Sequence, residues 1–282
     1  MTTNEREKIA ARLKDYCAQK GSQNKAANSM NGVSSATVSK VLAGDWDTIS
    51  DGMWRTIASQ TGHEAKEWHI AETRAYKRMT FLLDNARADS LVLAVTGDAG
   101  CGKTEAIKNY TALHRNVYHL CCSEYWNRRT FMGKVLQTMG VDFAGSTVSD
   151  MMDDIIDTLK KKQQPLVVLD EADKLSDQVL YFFISLYNQL EGHCGIMLCA
   201  TNYLSKRVKR GLRLGKKGYE EIYSRMGRKF VELQVINTED IAAVCVANGV
   251  TDAKTINAIA ADCECDLRRV KRSVWAMQKK QS

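Results

Sequence analysis

The eight residues GDAGCGKT, positions 97 to 104, directly follow the apolar run LVLAV. They fit G-x-x-x-x-G-K-[ST] in the strand, loop and helix context in which backbone amides wrap phosphates. Glycine tolerates such a turn and leaves room for close approach, and the following helix adds the positive end of its dipole. The candidate nucleotide site is therefore Gly97, Asp98, Ala99, Gly100, Cys101, Gly102, Lys103, Thr104 and Glu105. Lys103 would reach the outer phosphates and Thr104 would hold magnesium. A second apolar run, PLVVLD, ends in Asp170 and Glu171. Adjacent carboxylates at a strand tip are costly neighbours; here Asp170 can join the magnesium shell while Glu171 orients and polarises a water for attack on the terminal phosphate. ATP and Mg2+ are the expected cofactors.

The next apolar run, GIMLCATN, brings Thr201 and Asn202 to its end. Asn202 is an amide suited to positioning that water, although an asparagine here also suits a plain turn. Further on, YSRMGRKF supplies Arg225 and Arg228, and CDLRR supplies Arg268 and Arg269. A guanidinium is always charged and can pair two phosphate oxygens, so one supplied by a neighbour can complete a transition state.

The elements that must position these residues separate by pattern. From Leu91 onward, short apolar runs (LVLAV, NVYHLCC, PLVVLD, GIMLCAT) alternate with helical patterns such as VSDMMDDIIDTLKKK and SDQVLYFFISLYNQLEG. Alternation of this kind predicts an α/β core, a parallel sheet with flanking helices. After FVELQVI the pattern is helical again, with Thr238 and Thr251 as N-caps and DLRRVKRSVWAMQKK as the last helix of a small helical lid. Residues 1–62 read as an all-α domain, 63–88 as a connecting helix, 89–236 as the core and 237–282 as the lid.

Within the first domain, NKAANSMNGVSSATVSKVLAGDW carries its own logic. Ala26 and Ala27 allow close helix packing, Asn31-Gly32 makes a tight turn, Val33 plugs the core, and Ser34 caps a helix exposing Ser35, Ala36, Ser39 and Lys40. The stretch resembles a repressor-type helix-turn-helix, which implies that those four residues face DNA; a helical protein-interaction module is the alternative. Two further basic zones stand out. EYWNRRTFMGK mixes aromatics with Arg128, Arg129 and Lys134, and its resemblance to the same segment of initiator-type AAA+ proteins implies that these are DNA contacts. SKRVKRGLRLGKK reads at least as well as a solvated loop as it does as a DNA or phosphate contact.

Taken in order, GDAGCGKT, VVLDEAD, ATN, SRMGR and CDLRR resemble the Walker A, Walker B, sensor 1, arginine-finger and sensor 2 motifs of AAA+ ATPases. The resemblance implies a P-loop core in which Asn202 senses the terminal phosphate, Arg225 acts on a neighbouring subunit's site with Arg228 as its rival, and Arg268 is the sensor 2 arginine. The lid motif usually begins with Gly where this chain has Cys265. ETRAYKRM, GDAGCGKTEAIKNY, VVLDEADKLSDQVL and DLRRVKRSVWAM further resemble the family of phage Mu transposition protein B. That family implies an ATP-dependent protein that assembles as a homo-oligomer on double-stranded target DNA and delivers it to a transposase. A helicase loader or replication initiator shares the same core, and a non-catalytic, nucleotide-switched DNA-binding regulator is the reading from outside the enzymes; the carboxylate Glu171 argues against the last. One departure from that family is that this sequence stops right after the lid helix, which puts an additional carboxy-terminal segment for partner contact in doubt.

Global properties agree with these expectations. The net charge of +7 favours an anionic partner. No run approaches the roughly 18 apolar residues of a membrane helix, and MTTNEREKIA lacks the apolar core of a secretion signal, so the expected location is cytoplasmic. Nine cysteines without a paired C-x-x-C read as reduced thiols, with Cys263 and Cys265 in helix-end packing.

Overall fold

The computed structural model describes residues 1–62 and 68–281, with side chains described through residue 278. The chain forms two compact units, Met1–Glu67 with Arg129–Asp157, and Trp68–Arg128 with Thr158–Ser282.

The first unit opens with four helices, α1 (Thr3–Lys20), α2 (Gln23–Ser29), α3 (Ser35–Ala43) and α4 (Asp51–Gln60). Each starts at a hydroxyl: Thr2, Ser22, Ser34 and Ser50 accept the orphan amides of the first turns. Ile9, Leu13, Ala26, Val38, Trp54 and Ile57 form a fully buried centre. Gly32, at φ +71°, makes the turn between α2 and α3, and Val33 is buried beside it, as the sequence predicts. The Gln60 side chain braces that turn, accepting from the Asn31 amide and donating to its carbonyl.

The second unit begins with α5 (Arg74–Ala88), β1 (Val92–Thr96), α6 (Lys103–Leu113) and β2 (Val117–Cys121). The helix expected over 63–88 starts only at Arg74, because Thr73 is in extended backbone and its hydroxyl caps the Tyr76 amide; residues 63–67 lie outside the described residues. Next come α7 (Arg128–Met139) and α8 (Val148–Lys160), which group from Arg129 to Asp157 with the first unit. There Lys20 donates to the Thr138 carbonyl at 2.8 Å, and Gln137 to Asn31 Oδ1 at 2.6 Å. The chain re-enters the second unit with β3 (Leu166–Asp170), α9 (Asp177–Leu190), β4 (Gly195–Ala200), α10 (Asn202–Arg213), α11 (Tyr219–Arg225) and β5 (Val231–Glu232). It ends with α12 (Thr238–Ala247), α13 (Ala253–Asp262) and α14 (Leu267–Gln281).

The five strands form one parallel sheet in the order β2-β3-β4-β1-β5. Every residue of β3 and β4 is buried, as central strands covered on both faces require. On one face Val95, Val168, Met197 and Cys199 pack with Met79 and Leu83 of α5, Ile107 and Tyr110 of α6, and lid residues including Ile241, Val270 and Val274. The fold is the expected α/β P-loop core with a helical lid. Its register aligns Thr96 with Ala200 and Cys121 with Asp170, so four strand ends share one carboxyl edge. In open α/β sheets that edge is where ligands bind.

Three local expectations are corrected. The caps of α12 and α13 are Asn237 and Asp252, one residue from Thr238 and Thr251, in line with the stronger capping of Asn and Asp. The basic stretch from Ser205 is mostly helix α10, not a loop. Among the described residues no helix is long and apolar enough to cross a membrane.

Candidate active site

At the carboxyl edge a cleft of about 400 Å³ is lined by the glycine loop, the end of β3, Thr201 and the first turns of α14. Gly100 and Gly102 turn the loop with φ of +80° and +95°, in the left-handed region. A side chain at Gly100 would run into the Asp266 carboxylate, and the Gly100 carbonyl accepts from the Leu267 amide at 3.0 Å. Glycine thus lets the lid dock on the loop backbone. α6 starts at Lys103, presenting unpaired first-turn amides to the cleft. The Lys103 ammonium folds back onto the carbonyls of Gly97 and Asp98 at 2.7 and 2.8 Å, and these neutral acceptors are readily exchanged for phosphate oxygens.

Thr104 Oγ1 donates to Asp170 Oδ2 at 2.7 Å, which joins the loop to β3. Asp170 is buried, and His119 Nε2 from β2 lies 3.4 Å from the same oxygen. Burial would raise the Asp170 carboxyl, but the adjacent His119 imidazole and the hydrogen bonds from Thr104 and the Glu171 amide outweigh it and hold the group below the usual carboxylate range. A hydroxyl and an ionised carboxylate in contact are the hard oxygen donors that Mg2+ prefers, so these residues fit the expected ion.

Glu171 sits at φ +55°, ψ +38°, a conformation that costs a non-glycine residue roughly 1 kcal/mol or more and that clusters at functional sites. Its carboxylate accepts from the Lys174 ammonium at 2.6 Å and the Cys121 thiol at 3.5 Å. Desolvation and the Glu171 carboxylate push the Cys121 thiol up to about 11, so it stays protonated as a donor. Thr201 donates to Asp173 at 2.7 Å on the adjoining wall.

Of the residues predicted for nucleotide, Ala99, Gly100, Gly102, Lys103, Thr104, Glu105 and Arg268 line the cleft together with Asp170 and Glu171. Asn202 does not; its amide donates to Glu232 at 3.2 Å in a separate cleft that Arg228 also lines. Arg225 lies elsewhere, donating to Asn188 at 3.1 Å above the Tyr187 ring. Arg269 pairs with Asp262 and Glu264, leaving Arg268 as the cleft-facing arginine of the CDLRR motif. Cys265, where glycine is usual, adopts φ +59°, so the backbone keeps the left-handed turn that glycine would take most easily. Ser35, Ala36, Ser39 and Lys40 are exposed on α3 in the first unit, with Ser39 and Lys40 bonded to Gln23 and Thr48. Arg129 and Lys134 bond Ser146 and Gln137, and Arg128 lies over the Phe182 ring.

Sequence reasoning missed one wall of the cleft. Trp68, Thr73, Tyr76 and Lys271 line it, and the Lys271 ammonium lies 5.1 Å from the Trp68 ring and 4.8 Å from that of Trp275. Lys271 is three residues beyond Arg268, a helical spacing that could have revealed it; no local signal marks Trp68 or His119.

Residues 86–208 match the family of AAA domains. The Mu-like prophage FluMu DNA transposition protein B of Haemophilus influenzae is 24% identical over 189 residues, an alignment covering 66% of this chain. The chain spans only 63% of that relative's own length.

Proposed function

We propose that this chain, whose AAA domain resembles that of a phage Mu-type transposition protein B, is an ATPase that assembles on duplex target DNA and hands it to a transposase. The observation that carries the reading is the contact of Thr104 with Asp170, with Glu171 adjoining it on the wall of the same cleft. Lys103 releases two loop carbonyls to pair with the outer phosphates, the amides at the start of α6 receive phosphate oxygens, and Arg268 closes from the lid. Thr104 and Asp170 would hold Mg2+, which when bound would offset phosphate charge. Glu171 takes hydrogen bonds and a proton from the attacking water after Lys174 yields. Arg225, outside its own chain's cleft, completes the site of a neighbouring subunit. In the first unit α3 presents Ser35, Ala36, Ser39 and Lys40 to DNA; Arg128, Arg129 and Lys134 add phosphate contacts.

Nucleotide titrations and mixed-subunit assays test this reading. Lys103→Ala should bind MgATP at least about tenfold more weakly and hold no duplex in an ATP-dependent manner. Arg225→Ala should bind ATP normally and hydrolyse about 10³-fold more slowly, and mixing the two inactive proteins on duplex should restore hydrolysis. Equal ATP affinity of Lys103→Ala and parent, or no recovery in mixtures that assemble, would refute it.

A further inference from the structure

Helix α10 has two unlike faces. Leu204, Val208 and Gly211 are buried on one, and the partly buried Arg207 there is spent on structure: it donates to the carbonyls of Asp173 and Leu175 and pairs with Asp177. Lys206, Lys209, Arg210 and Arg213 are all exposed and fall at i, i+3, i+4 and i+7, so they share the opposite face. Among the described residues none of these four side chains has an ion-pair or hydrogen-bond partner. From Lys206 to Arg213 the axial span is about 10 Å, comparable with three phosphates of one strand counted at roughly 3.4 Å each along the DNA axis. The exposed Tyr203 lies at the amino end of the same face. Lys206 and Lys209 also line, with Arg228 and Lys229, a cleft of about 490 Å³ in which Glu232 is already bonded to Asn202.

Four unpaired like charges on two helical turns repel one another, and at a surface only a polyanion or a counterion atmosphere offsets that. The inner face of α10 is fastened to the loop that follows Glu171 through Arg207 and through Thr201, whose hydroxyl bonds Asp173. The helix is therefore held firmly on the ATPase core with its cationic face turned outward. We infer that the outer face of α10, Lys206, Lys209, Arg210 and Arg213, binds the phosphate backbone of duplex DNA. The inference deepens the proposed function, on which it rests for the partner's identity.

The test measures duplex affinity of the full chain with ATP between 50 and 200 mM salt. Parent, a variant with all four residues changed to Ala, and a charge-preserving variant (Lys206→Arg, Lys209→Arg, Arg210→Lys, Arg213→Lys) are compared. Each lost phosphate contact should flatten the slope of log affinity against log salt by about 0.9, or about 3 to 4 for the alanine variant, with affinity at 100 mM falling at least about tenfold. The charge-preserving variant should retain the parent slope, which a purely structural role for the face would not require. If the parent binds duplex and the alanine variant matches it in slope and affinity, the inference fails while the proposed function stands. A parent that binds no duplex overturns both, and a deficit limited to single-stranded DNA overturns the inference.

Discussion

At Gly100 two requirements meet in one residue: a left-handed φ of +80° and the absence of a side chain where the Asp266 carboxylate sits. Alanine there pays about 1 kcal/mol or more in backbone strain and must also push Asp266, and with it the start of α14, off the loop. Gly100→Ala should therefore weaken nucleotide binding by at least about tenfold, which the two effects together make reasonable, while Gly145→Ala, with open space around a φ of +80°, should leave it unchanged. Equilibrium titration with a fluorescent ATP analogue reads this; equal affinity for Gly100→Ala and parent would mean that the lid does not need the loop. The phosphate loop and the Asp170-Glu171 pair were legible in the sequence because their chemistry is local: a few adjacent residues fix type, spacing and context. His119 was not. It reaches Asp170 only because β2 pairs with β3, and no sequence neighbour announces that register.

At the scale of elements, the two ends of α12 are fixed to the start of α5 and to the segment before it by two buried polar groups, Asp240 and the C-cap Asn248. Asp240 accepts from the Arg74 amide and guanidinium, and Asn248 accepts from the His69 amide while donating to the His69 carbonyl. Burial would raise the Asp240 carboxyl, yet the hydrogen bonds from Arg74 and Asn237 hold it below the usual range. A depressed folded value stabilises the protein above the unfolded carboxylate value of about 3.9 and loses that contribution as pH falls through the folded one. Asp240→Ala should cost about 3 kcal/mol at pH 7 by stranding Arg74 and two amides, and the deficit should shrink below about pH 4. Urea unfolding followed by tryptophan emission measures it; a deficit constant from pH 7 to pH 3 would contradict the assignment. Strand and helix order were readable here because apolar runs of strand length alternate with helical spacing. α10 was misread because its charges hide a short apolar stripe, Leu204, Val208 and Gly211, whose i, i+4, i+7 spacing is the signal that mattered. The α12 and α13 caps moved by one residue because two capping residues adjoin each start, and only geometry selects between them.

At the scale of the whole molecule, each chain contributes different groups to different places. The nucleotide cleft gathers the loop, β3 and α14, while Asn202 and Arg225 stand outside it. If Arg225, which stands outside its own chain's cleft, serves a second copy as proposed, hydrolysis should be tied to assembly on DNA. The basic face of α10 and the exposed face of α3, one on each compact unit, are the two regions proposed to meet phosphate. The division of the chain was only partly legible: residues 129–157 interrupt the core in sequence yet group with the first unit, and long-range packing of that kind leaves no periodic trace.

We propose that Glu171 drives hydrolysis and, further, that hydrolysis is the step that releases duplex DNA. Glu171→Gln keeps the size of the side chain and one carbonyl oxygen but removes the carboxylate that polarises water, leaving Lys103, Thr104 and Asp170 to hold MgATP. Dissociation from labelled duplex in the presence of ATP, timed for parent and variant alongside phosphate release, tests it most directly. The account predicts phosphate release slowed about 10² to 10⁴-fold with protein persisting on duplex far longer than the parent. A Glu171→Gln protein that releases phosphate at the parent rate, or that leaves duplex as quickly as the parent while hydrolysis is blocked, would contradict it.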